Sequence, residues 1–420
     1  MNREALVYMD FPSGPVLIGR LWSRVRKGRE SATFEYDRGW LARPDRFALE
    51  PALMLAAGPY HTGTDRPMFG AIGDSAPDRW GRVLMRRAER KAAEREKRTP
   101  RTLFEIDFLL LVDDEVRAGA LRFAEKEGGP FLAEPGKFRI PPLVELNRLL
   151  RATQRVIDDE EDEEDLRLLI APGSSLGGAR PKASVRDSDG TLAIAKFPHR
   201  DDDANIVLWE GVALRLAAFA GIAVPQWRVE PVANNKAALV LRRFDRRNGT
   251  RVPFLSAMSM LGAADNEPHS YLEIAEALRQ QGAAPSKDLE QLWRRIVFNV
   301  LISNTDDHLR NHGFLYEGPA GWRLSPAYDM NPVPIDVRPR VLSTSIDPDD
   351  PSASIDLALA AAGYFGLKDK QARQIAAEIA TVVSTWRETA EKAGLTRAEI
   401  DRMASAFEHE DLKAASASTD

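Results

Sequence analysis

Two carboxylates, two imidazoles and two carboxamides crowd into the stretch Ser303-Asn304-Thr305-Asp306-Asp307-His308-Leu309-Arg310-Asn311-His312-Gly313-Phe314. Residues of these types, set between apolar segments, suit a reactive loop held on a rigid scaffold. Asp306 is followed five positions later by Asn311. Phosphoryl transfer needs a carboxylate to orient the attacking hydroxyl and a carboxamide oxygen to hold Mg²⁺ behind it, and protein kinases place an Asp and an Asn at this spacing. A second metal-binding Asp must then return to the same point. Phe314-Leu315-Tyr316 reads as a strand, Gly318-Pro319-Ala320-Gly321 as a turn and Trp322-Arg323-Leu324 as the returning strand, which delivers Asp329. Two other readings compete. An Asx-rich turn uses the same residue types for backbone hydrogen bonds. A metal-dependent hydrolase would use His308 and His312 at i and i+4, but Leu309 stands where a zinc-protease helix needs Glu.

The elements around this loop must position it. Leu289, Leu292, Trp293, Ile296, Val297, Val300 and Leu301 form one apolar helical stripe running into the loop, with Ser286 as the expected cap. Upstream, Ala183-Ser184-Val185 and Thr191 to Phe197 read as a hairpin with its turn at Asp187–Gly190. Period-two alternation puts Leu192, Ile194 and Lys196 on one face. A lysine there suits a phosphate contact, with Glu210 on the following helix as its candidate partner and Asp203 or Asn205 as that helix's cap. A Lys that snorkels to water is the plainer alternative. The Gly/Ser stretch Pro172 to Lys182 can bring backbone N–H groups to phosphate oxygens, although Ala179 stands where a P-loop requires Lys. Ala237 to Leu241 is an apolar strand leading into Arg242-Arg243-Phe244-Asp245, where a hinge would meet adenine through its backbone.

The chain has 420 residues, 44% hydrophobic and 29% charged, which fits a globular protein of two or three domains. Absence of cysteine excludes disulfides and thiolate metal sites and favours the cytoplasm. Neither a signal peptide nor a membrane-spanning run is visible. A net charge of −5 argues against a nucleic-acid binder. Arg79 to Arg101 nevertheless holds ten Lys/Arg against three Glu, either a solvated helix face or a partner or nucleic-acid surface. Asp158 to Asp165 is wholly acidic and reads as a disordered or solvated spacer. The chain divides into a mixed α/β accessory domain (1–125), a small lobe with the Gly-rich loop (126–250) and a helical large lobe (251–420). Residues 352–410 read as two or three helices.

Taken together, Ser175-Leu176-Gly177-Gly178-Ala179-Arg180-Pro181-Lys182, Ile194-Ala195-Lys196-Phe197-Pro198, Arg243-Phe244-Asp245-Arg246, Asn304 to Asn311 and Pro326-Ala327-Tyr328-Asp329 resemble the HipA family of serine/threonine kinases. These are toxins of bacterial type II toxin–antitoxin pairs. The resemblance implies an α+β, two-lobed kinase-like fold, distantly similar to phosphoinositide kinases. It implies Asp306 as catalytic base, and Asn311 and Asp329 as Mg²⁺ ligands. ATP would be held by Gly177, Gly178, Ala179, Arg180, Pro181, Lys182 and Lys196, by the backbone of Arg243 and Phe244, and by His308 and Asp329. Ser175, or its neighbour Ser174, would be the autophosphorylation site that switches the kinase off. A helix-turn-helix, HipB-like antitoxin, operator DNA through that antitoxin, and an aminoacyl-tRNA synthetase as protein substrate are the implied partners. Arg242 departs from the Glu common in the family's hinge. The reading from another class is a non-catalytic transcriptional co-regulator that binds antitoxin and DNA.

Overall fold

The computed structural model describes residues 2–63, 66–133, 140–170, 178, 180–202, 204–233, 236–265 and 267–417. It divides into two compact units, one of residues 1–200 and 230–264, the other of 201–229 and 265–420.

The first unit begins with a five-stranded sheet in the order β4-β3-β2-β1-β5, from β1 (Asn2–Phe11), β2 (Gly14–Arg26), β3 (Arg29–Tyr36), β4 (Pro59–His61) and β5 (Leu121–Ala124). Helix α1 (Arg79–Arg95) follows, capped by Asp78, whose carboxylate accepts from the Gly81 N–H at 2.8 Å. Trp80 and Leu84 of α1 pack with Leu149, Leu150 and Val156 of α2 (Leu146–Ile157) and with Leu166 and Leu169 of α3 (Glu163–Ile170). The same core takes Ala183 and Val185 from β6 (Lys182–Arg186) and Ala193 and Ala195 from β7 (Leu192–Lys196). Alternation therefore sends Leu192, Ile194 and Lys196 to the other face, as the sequence pattern requires. A second sheet runs β6-β7-β9-β8, completed by β8 (Trp227–Val232) and β9 (Lys236–Arg242).

The acidic run corrects an expectation. Instead of a spacer, Asp158 to Asp165 turns into α3 and lies against the basic helix. Arg87 meets Asp159 at 2.6 Å and Glu161 at 2.8 Å, and Arg95 meets Glu163 at 2.9 Å. Glu89 takes Arg98 at 2.5 Å and Arg101 at 3.5 Å. Mutual repulsion within each run is relieved because each supplies the other's counter-charges. Much of the basic excess is thus committed inside the unit.

In the second unit, α4 (Ile206–Phe219) is capped by Asn205. Its Trp209 meets Trp386 and Phe407, which stack on each other at 4.5 Å. Helix α5 is Tyr271–Gln281 and α6 is Pro285–Leu301. All seven residues of the apolar stripe on α6 are buried. The cap position is Ala284 rather than Ser286, because Pro285 pre-sets the first helical residue and moves the start upstream. The hairpin β10 (Gly313–Tyr316) and β11 (Trp322–Leu324) forms with Phe314 opposite Leu324 and Tyr316 opposite Trp322. Residues 352–410, expected as two or three helices, break into four described α-helices, α7 (Ile355–Ala361), α8 (Asp369–Val383), α9 (Trp386–Lys392) and α10 (Arg397–Phe407), and α11 (Glu410–Ala417) follows. Two of the breaks carry glycines in the left-handed region, Gly366 (φ 75°) and Gly394 (φ 88°). No helix among the described residues is long and apolar enough to cross a membrane.

Candidate active site

The last turn of α6 prepares the reactive loop. Ser303 takes a left-handed conformation (φ 51°) and donates its hydroxyl to Ala406 O at 2.8 Å, so the chain leaves the helix on a fixed path. Beneath the loop lies a buried network centred on Asp307. One of its oxygens, Oδ2, accepts from the Tyr271 hydroxyl at 2.5 Å, from Asn299 Nδ2 at 2.8 Å and lies 2.8 Å from His312 Nε2. Asn304 extends the network by donating to Asn299 Oδ1 at 3.0 Å. Burial acts to raise the Asp307 pKa, but the His312 charge and the hydrogen bonds from His312 and Tyr271 outweigh it, and the net shift is downward. Burial, then the Asp307 charge, pushes the Tyr271 hydroxyl well above its ordinary value. Arg295 is buried nearby in sequence order on α6 and its pKa is lowered by burial to about 10, against the pull of Asp307. The adjacent carboxylates therefore have opposite situations: Asp307 is locked in the interior, whereas the Asp306 side chain is 65% exposed.

Asp306 Oδ1 receives Arg338 Nη1 at 2.7 Å, and Arg338 also donates to Ser343 Oγ at 3.3 Å. Asn311 donates its Nδ2 to the Asp306 carbonyl at 3.2 Å, which fixes the amide and leaves Oδ1 buried with no hydrogen-bond donor among the described residues. An orphaned buried acceptor is costly unless something positive meets it. The segment bearing Asp329 is tied to the loop on both sides. The Tyr328 hydroxyl donates to Arg310 O at 2.7 Å, and the Asn331 N–H donates to Asn304 Oδ1 at 3.3 Å. Asp329 itself sits at φ 60°, a strained conformation for a residue with a side chain. His308 opens the short helical turn Leu309–Asn311, with its Nδ1 buried and lacking a described partner. The second unit thus brings Asp306, His308, Asn311 and Asp329 onto one scaffold.

The first unit gathers another set. Lys182 and Lys196 are register partners across β6 and β7, and both are buried. Lys182 Nζ donates to Asp78 Oδ2 at 2.8 Å and to Gly178 O at 2.8 Å. Arg180 and Pro181 lead directly into β6. The Arg243 side chain is consumed by structure: its guanidinium donates to Asp245 at 2.8 and 2.5 Å, to Arg117 O at 3.2 Å and to Val116 O. Its N–H also donates to Leu192 O at 3.1 Å, so a hinge contact from Arg243 has only the carbonyl to offer. Phe244 is half-buried with its ring 6.3 Å from that of Phe254. Glu210 belongs to the second unit, buried on α4. Ser174, Ser175, Gly177 and Ala179, as well as the cap candidate Asp203, lie outside the described residues.

Sequence reasoning missed Asp307 as the hub, with Tyr271 and Asn299 as its partners, and missed Asp78 and Arg338. Asn299 had a legible signal, a carboxamide inside the apolar end of α6. Asp78, before a helical pattern, had the signature of a cap. Arg338 had none.

The family model described as "HipA-like C-terminal domain" matches residues 174–386. "Putative kinase Y4mE" of Sinorhizobium fredii is 28% identical over 332 residues, 71% of this chain and 71% of that protein. A "Putative kinase" of Haemophilus influenzae is 28% identical over 151 residues, 33% of this chain and 43% of its own length. Among solved structures, a chain of the Shewanella oneidensis MR-1 toxin–antitoxin complex of HipA, HipB and operator DNA superposes with a TM-score of 0.67 at 17% identity, covering 98% of this chain and 96% of that one. This last likeness is one of fold. With the family model running over half of its length, from the Gly/Ser stretch through the reactive loop and into the C-terminal helices, the chain belongs to the HipA-like C-terminal domain family.

Proposed function

We propose that this protein is an ATP- and Mg²⁺-dependent serine/threonine kinase that acts as the toxin of a HipA-type toxin–antitoxin pair. The observation that carries the reading is the division of labour in one rigid loop. Asp306 offers an exposed carboxylate, Asn311 offers a buried acceptor oxygen without a donor among the described residues, and the adjacent Asp307 is bound below to Tyr271, Asn299 and His312. Family membership supports the general activity.

In this mechanism Asp306 accepts the hydrogen bond of an incoming serine or threonine hydroxyl, orients its oxygen and takes its proton as the new oxygen–phosphorus bond forms and the bond from the γ-phosphorus to the β–γ bridging oxygen breaks, with ADP as the leaving group. Asn311 Oδ1 and the Asp329 carboxylate are hard oxygen donors suited to Mg²⁺. Bound Mg-ATP supplies the phosphoryl group and neutralises its charge. Lys196, Lys182 and the backbone of the 177–182 stretch would hold the phosphates, and the carbonyl of Arg243 with the backbone of Phe244 would meet the base. His308 would lie near the nucleotide, and Glu210 is the partner proposed for Lys196. A phosphate on Ser175 or Ser174 would add nearly two negative charges beside those phosphates, so repulsion makes self-inactivation physically sensible. The protein substrate is proposed as an aminoacyl-tRNA synthetase, and the partner as a HipB-like antitoxin that carries the pair to operator DNA.

Expression in a bacterial host tests the toxin reading. The wild type should arrest growth, and Asp306→Asn, expressed to the same level, should not. Equal arrest by both proteins would remove catalysis from the account and leave the non-catalytic co-regulator.

A further inference from the structure

The strand register creates an electrostatic problem that a residue from the N-terminal region answers. Lys182 and Lys196 face each other across β6 and β7. Directly opposite residues of an antiparallel pair point to the same face with Cβ atoms about 5 Å apart, and like charges there repel. Lys182 is 2% exposed and Lys196 is 9% exposed, so water screens little of that repulsion. Such a pair needs anions. One comes from the chain itself: Asp78, whose side chain is 6% exposed, meets Lys182 at 2.8 Å.

The geometry of Asp78 is specific. Its Oδ1 accepts from the Gly81 N–H at the start of α1 at 2.8 Å, and its Oδ2 accepts from Lys182 at 2.8 Å. The cap therefore fixes the carboxylate that holds the ammonium. Lys182 also donates to Gly178 O at 2.8 Å. An ammonium has three N–H donors, and among the described residues Asp78 and Gly178 account for two, which leaves one for an oxyanion. Nor is this the only tie from the N-terminal region, since the Val116 and Arg117 carbonyls accept from Arg243 at the hinge candidate.

We infer that Asp78 is a positioning residue for a nucleoside triphosphate: it holds Lys182 oriented toward the phosphates, so residues 1–125 contribute to nucleotide binding. This rests on the kinase reading. It gives the N-terminal region a part in the chemistry, and it makes α1 the mechanical reference for the phosphate lysine.

The test uses the full chain. Asp78→Asn keeps the size and the capping ability, because Asn and Asp cap about equally well, and removes the charge. Titration with Mg-ATP, steady-state kinetics of phosphate transfer and the denaturation midpoint without nucleotide are measured together. The ATP dissociation constant and KM should rise about tenfold, the size of one charge-assisted hydrogen bond, with kcat changed much less, and Asp78→Glu should recover part of the affinity. Lys182→Met should also weaken ATP binding, and adding Asp78→Asn in that background should weaken it no further. The double variant buries neither charge alone, so this arm stands even where the single Asn variant folds poorly. A lowered midpoint with unchanged ATP affinity would make Asp78 purely structural and overturn the inference. Tighter ATP binding would overturn it too, because Asp78 would then compete with the phosphates. Failure of the wild type to bind Mg-ATP would remove the kinase reading and this inference with it, whereas wild-type binding with an indifferent Asp78→Asn removes the inference alone.

Discussion

Replacing Asp307 and Asp306 in turn should give opposite phenotypes, although they are neighbours of the same residue type. Asp307→Ala deletes the acceptor for the Tyr271 hydroxyl at 2.5 Å, Asn299 Nδ2 at 2.8 Å and His312 Nε2 at 2.8 Å. Each buried donor left without a partner costs about 1–3 kcal/mol. The three share one oxygen, so their losses do not add. Breaking a buried charged cluster from one side costs about 3–5 kcal/mol, and about 4 kcal/mol is a large part of the roughly 5–15 kcal/mol that holds a domain folded. Asp307→Asn keeps the shape and one acceptor, and should cost about half as much. Asp306→Ala removes one exposed ion pair, to Arg338 at 2.7 Å, and should cost less than about 1 kcal/mol. Denaturant unfolding of the three variants beside the wild type, followed by circular dichroism, measures this, with phosphate transfer assayed on the same preparations. Asp307→Ala should unfold at distinctly lower denaturant, while Asp306→Ala should unfold with the wild type and lose transfer. The reasoning is refuted if Asp307→Ala matches the wild type, or if Asp306→Ala falls as far. Asp307 also has a pH signature. Its folded pKa lies below the unfolded value of about 4. Its contribution is therefore present above pH ~4 and is lost as pH falls through the folded pKa. The Asn variant should lack that acid-induced loss.

Two further outcomes follow from named groups. His409, pushed down to about 4 by burial and then by the Arg340 charge, stays neutral when folded and takes up its proton near 6.5 when unfolded. Stability should fall as pH drops from about 6.5 toward 4, by up to about 3 kcal/mol. His409→Gln should flatten that slope. Glu50, pushed up to about 7 by burial, works in the other direction, so the difference between variant and wild type is the quantity to read. Asn311→Ala removes the orphaned buried acceptor. The Mg²⁺ concentration needed for half-maximal transfer should rise about tenfold or more, and the thermal midpoint should stay within a few degrees; an unchanged Mg²⁺ requirement would take Asn311 out of the metal role.

Short-range periodicity was enough to read the hairpin after the reactive loop, the apolar stripe of α6 and the face of β7 that carries Lys196, because each depends on neighbours within a few positions. What stayed hidden depends on distant partners. Asp306 and Asp307 are indistinguishable by type, and only Tyr271, 36 residues upstream, and the path of the chain into His312 decide which is buried. The acidic run looked like a spacer because the partners of Asp159 and Glu161 lie on α1; Arg87 and Glu161 are 74 residues apart. Asp78 could be read as a cap, but its other oxygen serves Lys182, 104 residues away. Ser286 was displaced by a local rule given too little weight, the preference of proline for the first helical position.

Intact-mass measurement of the purified full-length protein before and after incubation with Mg-ATP, beside Asp306→Asn treated identically, tests the kinase account most directly. The account predicts a gain of one phosphate by the wild type, mapping to Ser174 or Ser175, and none by the variant. A wild type whose starting mass carries no phosphate, and which gains none with Mg-ATP, would contradict it.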